Sequence, residues 1–197
     1  MCDLLSEKRL NPKQMLSDLM SFSMRIEGLA RDVGIDIEGL VPDHIALRIN
    51  DQSVAELAHK EWLNFGDEIS NAVINGRPII VIELADKPLF LGQTIECLEL
   101  PYPAPGKSYP QEGWEHVELV VPSGAESASD FLEELKQTFP KMAERWDTYT
   151  RAGIKTKLSS PKGEGERLPN PTVAFKKDGI CIKLHPWSLK QIVESEK

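Results

Sequence analysis

The sequence predicts an α+β fold: two paired βαβββ modules behind an added N-terminal helical segment. Three observations predict it. A short strand motif is written twice, as "DHIALRI" from Asp43 to Ile49 and as "EHVELVV" from Glu115 to Val121. The same order of elements follows each copy. A helical stretch precedes the first copy and has no counterpart before the second. The expected divisions are residues 1–40 for the helical extension, 41–103 for the first module and 104–197 for the second.

The opening helix reads from cap to cap. Asn11 is a capping residue, Pro12 suits the first helical position, and Gln14 completes a capping-box pattern. Leu16, Leu19, Met20, Ile26 and Leu29 recur at helical spacing, and Gly34 is a C-terminal stop. The methionines read as core filler.

In the first module "HIALRI" alternates as a strand. "SVAELAHKEWLNFG" then places Val54, Leu57, Ala58, Trp62 and Phe65 at helical spacing. "EISNAVINGRPIIVIEL" reads as two strands about an Asn75-Gly76 turn, and "GQTIECLELP" as one more. After the Pro-rich "PYPAPGKSYPQEGW" the order repeats. "HVELVV" is a strand, and "ESASDFLEELKQTF" is a helix with Phe131, Leu132 and Leu135 on one side. "IKTKLSS" and "PTVAFKKDGICIKLHPW" supply the remaining strands, while "PKGEGERLPNP" is loop.

Composition narrows the function. With 41% hydrophobic and 27% charged residues in 197, the chain can bury an ordinary core. A net charge of -8 argues against a general nucleic-acid footprint and leaves room for a local basic pocket. The three cysteines, Cys2, Cys97 and Cys181, show no metal or disulfide spacing and fit a reducing cytoplasm. "MCDLLSEKRL" lacks the features of a signal peptide, and no apolar run reaches the about 18 residues of a bilayer span. A cytoplasmic protein without membrane or nucleic-acid partners is the expectation. The Walker spacing, the GxSxG elbow and the GxGxxG fingerprint are all missing.

Two of only four histidines stand in the repeated motif, 72 positions apart. Alternation puts His44, Ala46 and Arg48 on one face of their strand, and His116, Glu118 and Val120 on one face of theirs. Glu99 and His185 stand near the ends of the last strands of the two modules. Pairing of the modules about a pseudo-two-fold axis would bring these four together. Three imidazoles and a carboxylate suit a divalent first-row metal. The alternatives are a strand cap for His185 and an exposed strand-end charge for Glu99, and the symmetric placement of the four favours the metal site over both. His59 reads as part of a solvated helix face.

The segments "PDHIALR", "INGRPI", "EGWEHVELV", "SSPKGEGERLPNPTVAF" and "KLHPWSLKQIVESE" together resemble the YecM family of bacterial proteins, over roughly Asn11 to Glu196. That family resembles the vicinal-oxygen-chelate superfamily of glyoxalase-like metalloenzymes. The resemblance implies a half-open barrel of paired βαβββ modules around one metal ion, such as Zn, Fe, Mn or Ni. Its pattern of ligands on the first and last strands of each module matches His44, Glu99 and His116. His185 stands where glutamate is common.

The implied function is that of a metal-dependent isomerase, lyase or dioxygenase acting on a small metabolite that chelates through two oxygens. The alternative is a non-catalytic binder of metal or metabolite. Glu118 reads as a substitute ligand or as the base, with Glu83 a second candidate for the base. Arg48 and Lys183 read either as clamps for a substrate carboxylate or phosphate or as structural ion pairs. The loop from Ser159 to Pro171 reads as a lid or as a plain insertion.

Overall fold

Alternation along eight strands sorts their side chains into an apolar face and a polar one, and this sorting organises the molecule. The computed structural model describes residues 4–74, 76–160 and 168–195. The strands are β1 (Val41–Arg48), β2 (Gly66–Ile74), β3 (Arg77–Leu84), a short hairpin of β4 (Leu89–Phe90) and β5 (Gln93–Thr94), β6 (Cys97–Pro101), β7 (Gly113–Val120), β8 (Lys155–Ser159), β9 (Thr172–Lys177) and β10 (Ile180–His185). All but β4 and β5 join one mixed sheet in the order β2-β3-β6-β1-β7-β10-β9-β8. The central strands β1 and β7 are antiparallel. Each has a parallel neighbour on its other side, β6 for β1 and β10 for β7. The outer pairings are antiparallel. The end strands β2 and β8 do not pair with each other, so the sheet is not a closed barrel.

Ile45, Leu47, Leu98, Leu100, Val117, Leu119, Ile182 and Leu184 form the apolar face and are almost wholly buried. Helices cover them: α2 (Pro12–Val33) lies on β7 and β10, α3 (Gln52–Trp62) on β6, and α4 (Ala128–Thr138) on β9. Shaving a side chain such as Ile182 to alanine in such a core costs ~2–5 kcal/mol.

The long helix obeys its sequence signals closely. Asn11 accepts a bond from the Lys13 amide, Pro12 opens the helix, and Gly34 closes it at φ 88°, where a Cβ would strike the backbone of Lys141. Gln14 does not complete a capping box. Its amide donates instead to the Ser6 carbonyl, in the short helix α1 (Leu4–Glu7). The buried stripe runs through Met15, Leu19, Phe22, Ile26, Leu29 and Val33. Met20 and Met24 are exposed, so only Met15 fills the core on this helix. "GQTIECLELP" is not one strand, because β5 ends at Thr94 and turns before β6 begins. Two further helices, α5 (Pro140–Arg145) and α6 (Leu189–Ser195), also lay outside the sequence expectation.

Asn75 of the expected turn and residues 161–167 of the expected lid lie outside the described residues. No helix among the described residues is long and apolar enough to cross a membrane.

Candidate metal centre

The polar face of the sheet carries the site, and two β-bulges shape it. In the pairing of β1 with β7, Pro42 opposes Leu119 while His44 opposes Glu118, which leaves Asp43 as an extra residue. Further along, Ala46 opposes His116 while Leu47 opposes Trp114, which leaves Glu115 extra on the other strand. A bulged residue escapes strict alternation. Each acid therefore shares the polar face with the histidine that follows it, while Pro42 and Trp114 stay with the apolar layer. Trp114 stacks on Phe22 there, and its indole N–H donates to the Met15 carbonyl.

The consequence is chemical. His44 Nδ1 donates to Asp43 Oδ2 at 2.9 Å, and His116 Nδ1 donates in the same way to Glu115 Oε2. Each imidazole is thereby oriented with Nε2 toward the other, and the two rings lie edge to face with centroids 6.1 Å apart. The acids are held in turn. Asp43 accepts the backbone N–H of Leu189, and Glu115 takes the Arg48 guanidinium at 2.6 Å and Lys176 at 3.4 Å. Carboxylate–histidine pairs of this kind commonly support metal ligands, because they fix the ring and raise its basicity.

Two carboxylates meet these rings. His44 Nε2 lies 3.1 Å from Glu99 Oε2 and 3.4 Å from Glu118 Oε1. His116 Nε2 lies 3.4 Å from Glu118 Oε1 and 4.0 Å from Glu99 Oε2. One donor atom from each of His44, Glu99, His116 and Glu118 falls within 4.8 Å of all the others, a cluster able to hold a metal ion. Two imidazoles and two carboxylates are donors that zinc, iron, manganese and nickel all accept.

His185 lies beside this cluster and not in it. Its ring is 6.0 Å from that of His44, with Nδ1 3.4 Å from Glu118 and Nε2 3.5 Å from Asp43, and neither nitrogen makes a hydrogen bond among the described residues. Register explains the offset. Glu99 opposes Ala46, two residues beyond His44, and the matching residue two beyond His116, Glu118, is opposed by Lys183. Lys183 therefore occupies the position that corresponds to Glu99, and His185 stands one alternation further along. The Lys183 ammonium donates to His116 Nε2 at 2.9 Å and to Glu118 Oε1 at 2.7 Å.

Opposite charges face one another within this set. Burial alone would favour a neutral His44, but the carboxylates of Glu118, Asp43 and Glu99 outweigh it and raise its pKa well above the usual imidazole value. Burial likewise opposes charge on Glu99, yet the bond from His44, with Lys183 and His116 nearby, brings its pKa down to about 2. Glu118 and Glu115 are also held low, against burial, by Lys183 and His44 and by His116 and Arg48 respectively. Lys183 is raised by Glu118 and Glu99 despite its burial, whereas burial lowers His185.

The remaining sequence candidates have definite places. Arg48 is engaged by Glu115 and lies 3.8 Å over the Tyr109 ring. Glu83 is tied to Lys190 of α6 at 2.5 Å. His59 is not solvated as expected, because its two nitrogens contact Tyr102 and Glu68.

Comparison with known proteins then places the chain. The sequence model of the YecM protein family matches residues 11–196. The chain belongs to the YecM family. Protein YecM of Escherichia coli (strain K12) is 38% identical over 189 residues, covering 94% of each chain. A relative from Haemophilus influenzae is 34% identical over 197 residues, covering 95% of this chain and 96% of its own. A solved structure described as "Structural Genomics, Protein EC4020" superposes with a TM-score of 0.77 at 33% identity, over 100% of this chain and 98% of that one.

In this YecM-family chain, sequence reasoning missed Asp43 and Glu115 as supports of the histidines. The signal was present. "PDHI" and "WEHV" each set two apolar residues three apart around an acid–histidine pair, whereas a regular strand would space them by two or four.

Proposed function

We propose that this chain is a metal-dependent enzyme of the glyoxalase-like, vicinal-oxygen-chelate type, acting on a small metabolite that presents two neighbouring oxygens. The observation that carries the reading is the pair of bulge-mounted acid–histidine units whose Nε2 atoms converge on Glu99 and Glu118. In this reading residues 41–103 and 104–197 are two βαβββ modules, the product of an internal duplication, forming a half-open barrel around one site. Residues 1–40 are a helical extension that covers the apolar face. The matching strand order on the two sides of the β1–β7 pair supports it.

His44, His116 and Glu99 are the ligands we assign, with His185 behind them. A divalent ion held there would supply Lewis acidity for the negative charge that develops on substrate oxygen during isomerisation, elimination or oxygenation. Glu118, kept ionised by Lys183 and the imidazoles, is the group we assign to proton transfer at its Oε1, with fourth-ligand duty as its other role. Lys183 and Arg48 are substrate-facing cations, Lys183 beside His116 and Arg48 further out.

A second reading, a non-catalytic binder of metal or metabolite, draws on one observation: the Lys183 ammonium already bridges His116 and Glu118. Titration of chelator-stripped, tag-free protein with zinc, iron, manganese and nickel salts, followed by a metabolite screen with the ion that binds, tests both. One ion per chain with turnover supports the enzyme, and one ion without turnover supports the binder. No binding by wild type overturns both metal readings.

A further inference from the structure

The polar face opens into a cavity of about 660 Å³, a volume typical of small-molecule sites. Glu99, His116 and Lys183 form part of its lining, so it leads directly to the cluster described above. Its charge is unlike that of the rest of the chain. Among the described residues, seven lysine and arginine side chains line it against two glutamates, in a protein whose net charge is -8. Both glutamates already have partners, Glu115 in Arg48 and Lys176, and Glu99 in the His44 ring.

The cations at the mouth are not so engaged. Lys155 and Lys157 project from the edge strand β8, and Lys107 from the connector before β7. None of the three has an acidic partner among the described residues, and all three are exposed. The Arg77 guanidinium, at the start of β3, donates to the Tyr102 carbonyl and has no acidic partner among the described residues. These four cations come from β3, from β8 and from the connector before β7, and line one cavity. Their mutual repulsion is a cost that folding alone gives no reason to keep, whereas an anion bound between them would remove it. The concave shape and the acidic remainder of the surface disfavour a nucleic-acid strand.

We infer that the cavity receives a small metabolite carrying at least two negative charges on phosphate or carboxylate groups. Its acidic end rests among Lys107, Lys155, Lys157 and Arg77, and its other end reaches toward Glu99 and His116. The second half of that statement rests on the function proposed above, while the anion subsite itself does not.

Calorimetric titration of the full chain, stripped of metal, with glycerol 3-phosphate, citrate and glycerol tests it. At least one of the two anions should bind, more weakly as sodium chloride is raised, and glycerol should not. The comparison of glycerol 3-phosphate with citrate tells phosphate from carboxylate preference. In Lys155→Gln/Lys157→Gln, whose changes are on exposed positions, anion affinity should fall by about tenfold or more, as expected for two lost charged contacts. Affinity for zinc should be unchanged in that variant. Binding of glycerol as strong as that of the anions overturns the inference. So does binding of neither anion, or anion affinity unaltered in a double variant that melts like wild type. Anion binding by a protein that takes up no metal leaves this inference standing and removes the metal readings, and the converse result removes only this one.

Discussion

The two sides of the candidate site are built alike up to one residue. Each central strand carries a bulged acid, then a histidine, and each parallel neighbour sets a buried cysteine opposite that histidine, Cys97 for His44 and Cys181 for His116. Two residues further the sides part, with Glu99 on the first and Lys183 on the second. A carboxylate on one side and an ammonium on the other give the site a negative pole near His44 and a positive one near His116. A symmetric carboxylate pair would have made a stronger cation trap, since the charge of the ligand set tunes affinity. The asymmetry instead leaves one flank cationic, on the side where the anion inferred above would approach.

Breaking the negative side should have the largest effect. His44→Ala removes the ring that touches both Glu99 and Glu118, and calorimetry with zinc should find no measurable binding, while circular dichroism remains that of the folded protein. Retained affinity would remove His44 from the ligand set. Making the sides alike comes next. Lys183→Glu supplies a carboxylate at the register position of Glu99, and divalent-ion affinity should rise by about tenfold to a hundredfold, the range over which such ligand-charge changes act. An affinity equal to or below that of wild type would show that the two positions do not face the same point.

Removing one supporting acid should weaken but not abolish binding. Asp43→Asn and Glu115→Gln keep shape and lose charge, and each should lower metal affinity by about 10–100-fold. The smallest change is expected at His185. Because the ring stands outside the four-donor cluster, His185→Gln should alter metal affinity by no more than about threefold, the scale of a remote electrostatic contact. A loss comparable to that of His44→Ala would place it among the ligands after all.

Much of this arrangement is legible in the sequence, and the reasons differ by element. The helix from Pro12 to Val33 announces both ends chemically, through Asn11, Pro12 and Gly34, and its bounds could be read directly. The main strands were legible along the chain because apolar and polar residues alternate in them, whereas their order in the sheet was not. Short elements such as α1, α5 and the β4–β5 hairpin carry too few residues to show a period. Register is not written in any single strand. Nearness to a strand end therefore pointed to His185 as the partner of Glu99, whereas the pairing of β7 with β10 puts Lys183 there. Asp43 and Glu115 were hidden for a related reason, since a bulge shows only as a break in alternation.

Those two bulges carry a consequence for inheritance. If Glu115 were deleted, Trp114, His116 and Val117 would alternate as a regular strand, each keeping the face it has now. The same holds for Pro42, His44 and Ile45 without Asp43. Each acid is thus a one-codon insertion that the sheet accommodates locally, with the adjoining loop taking up the shift. A lineage could gain or lose the support of a histidine in a single in-frame step while the strands around it stayed in place.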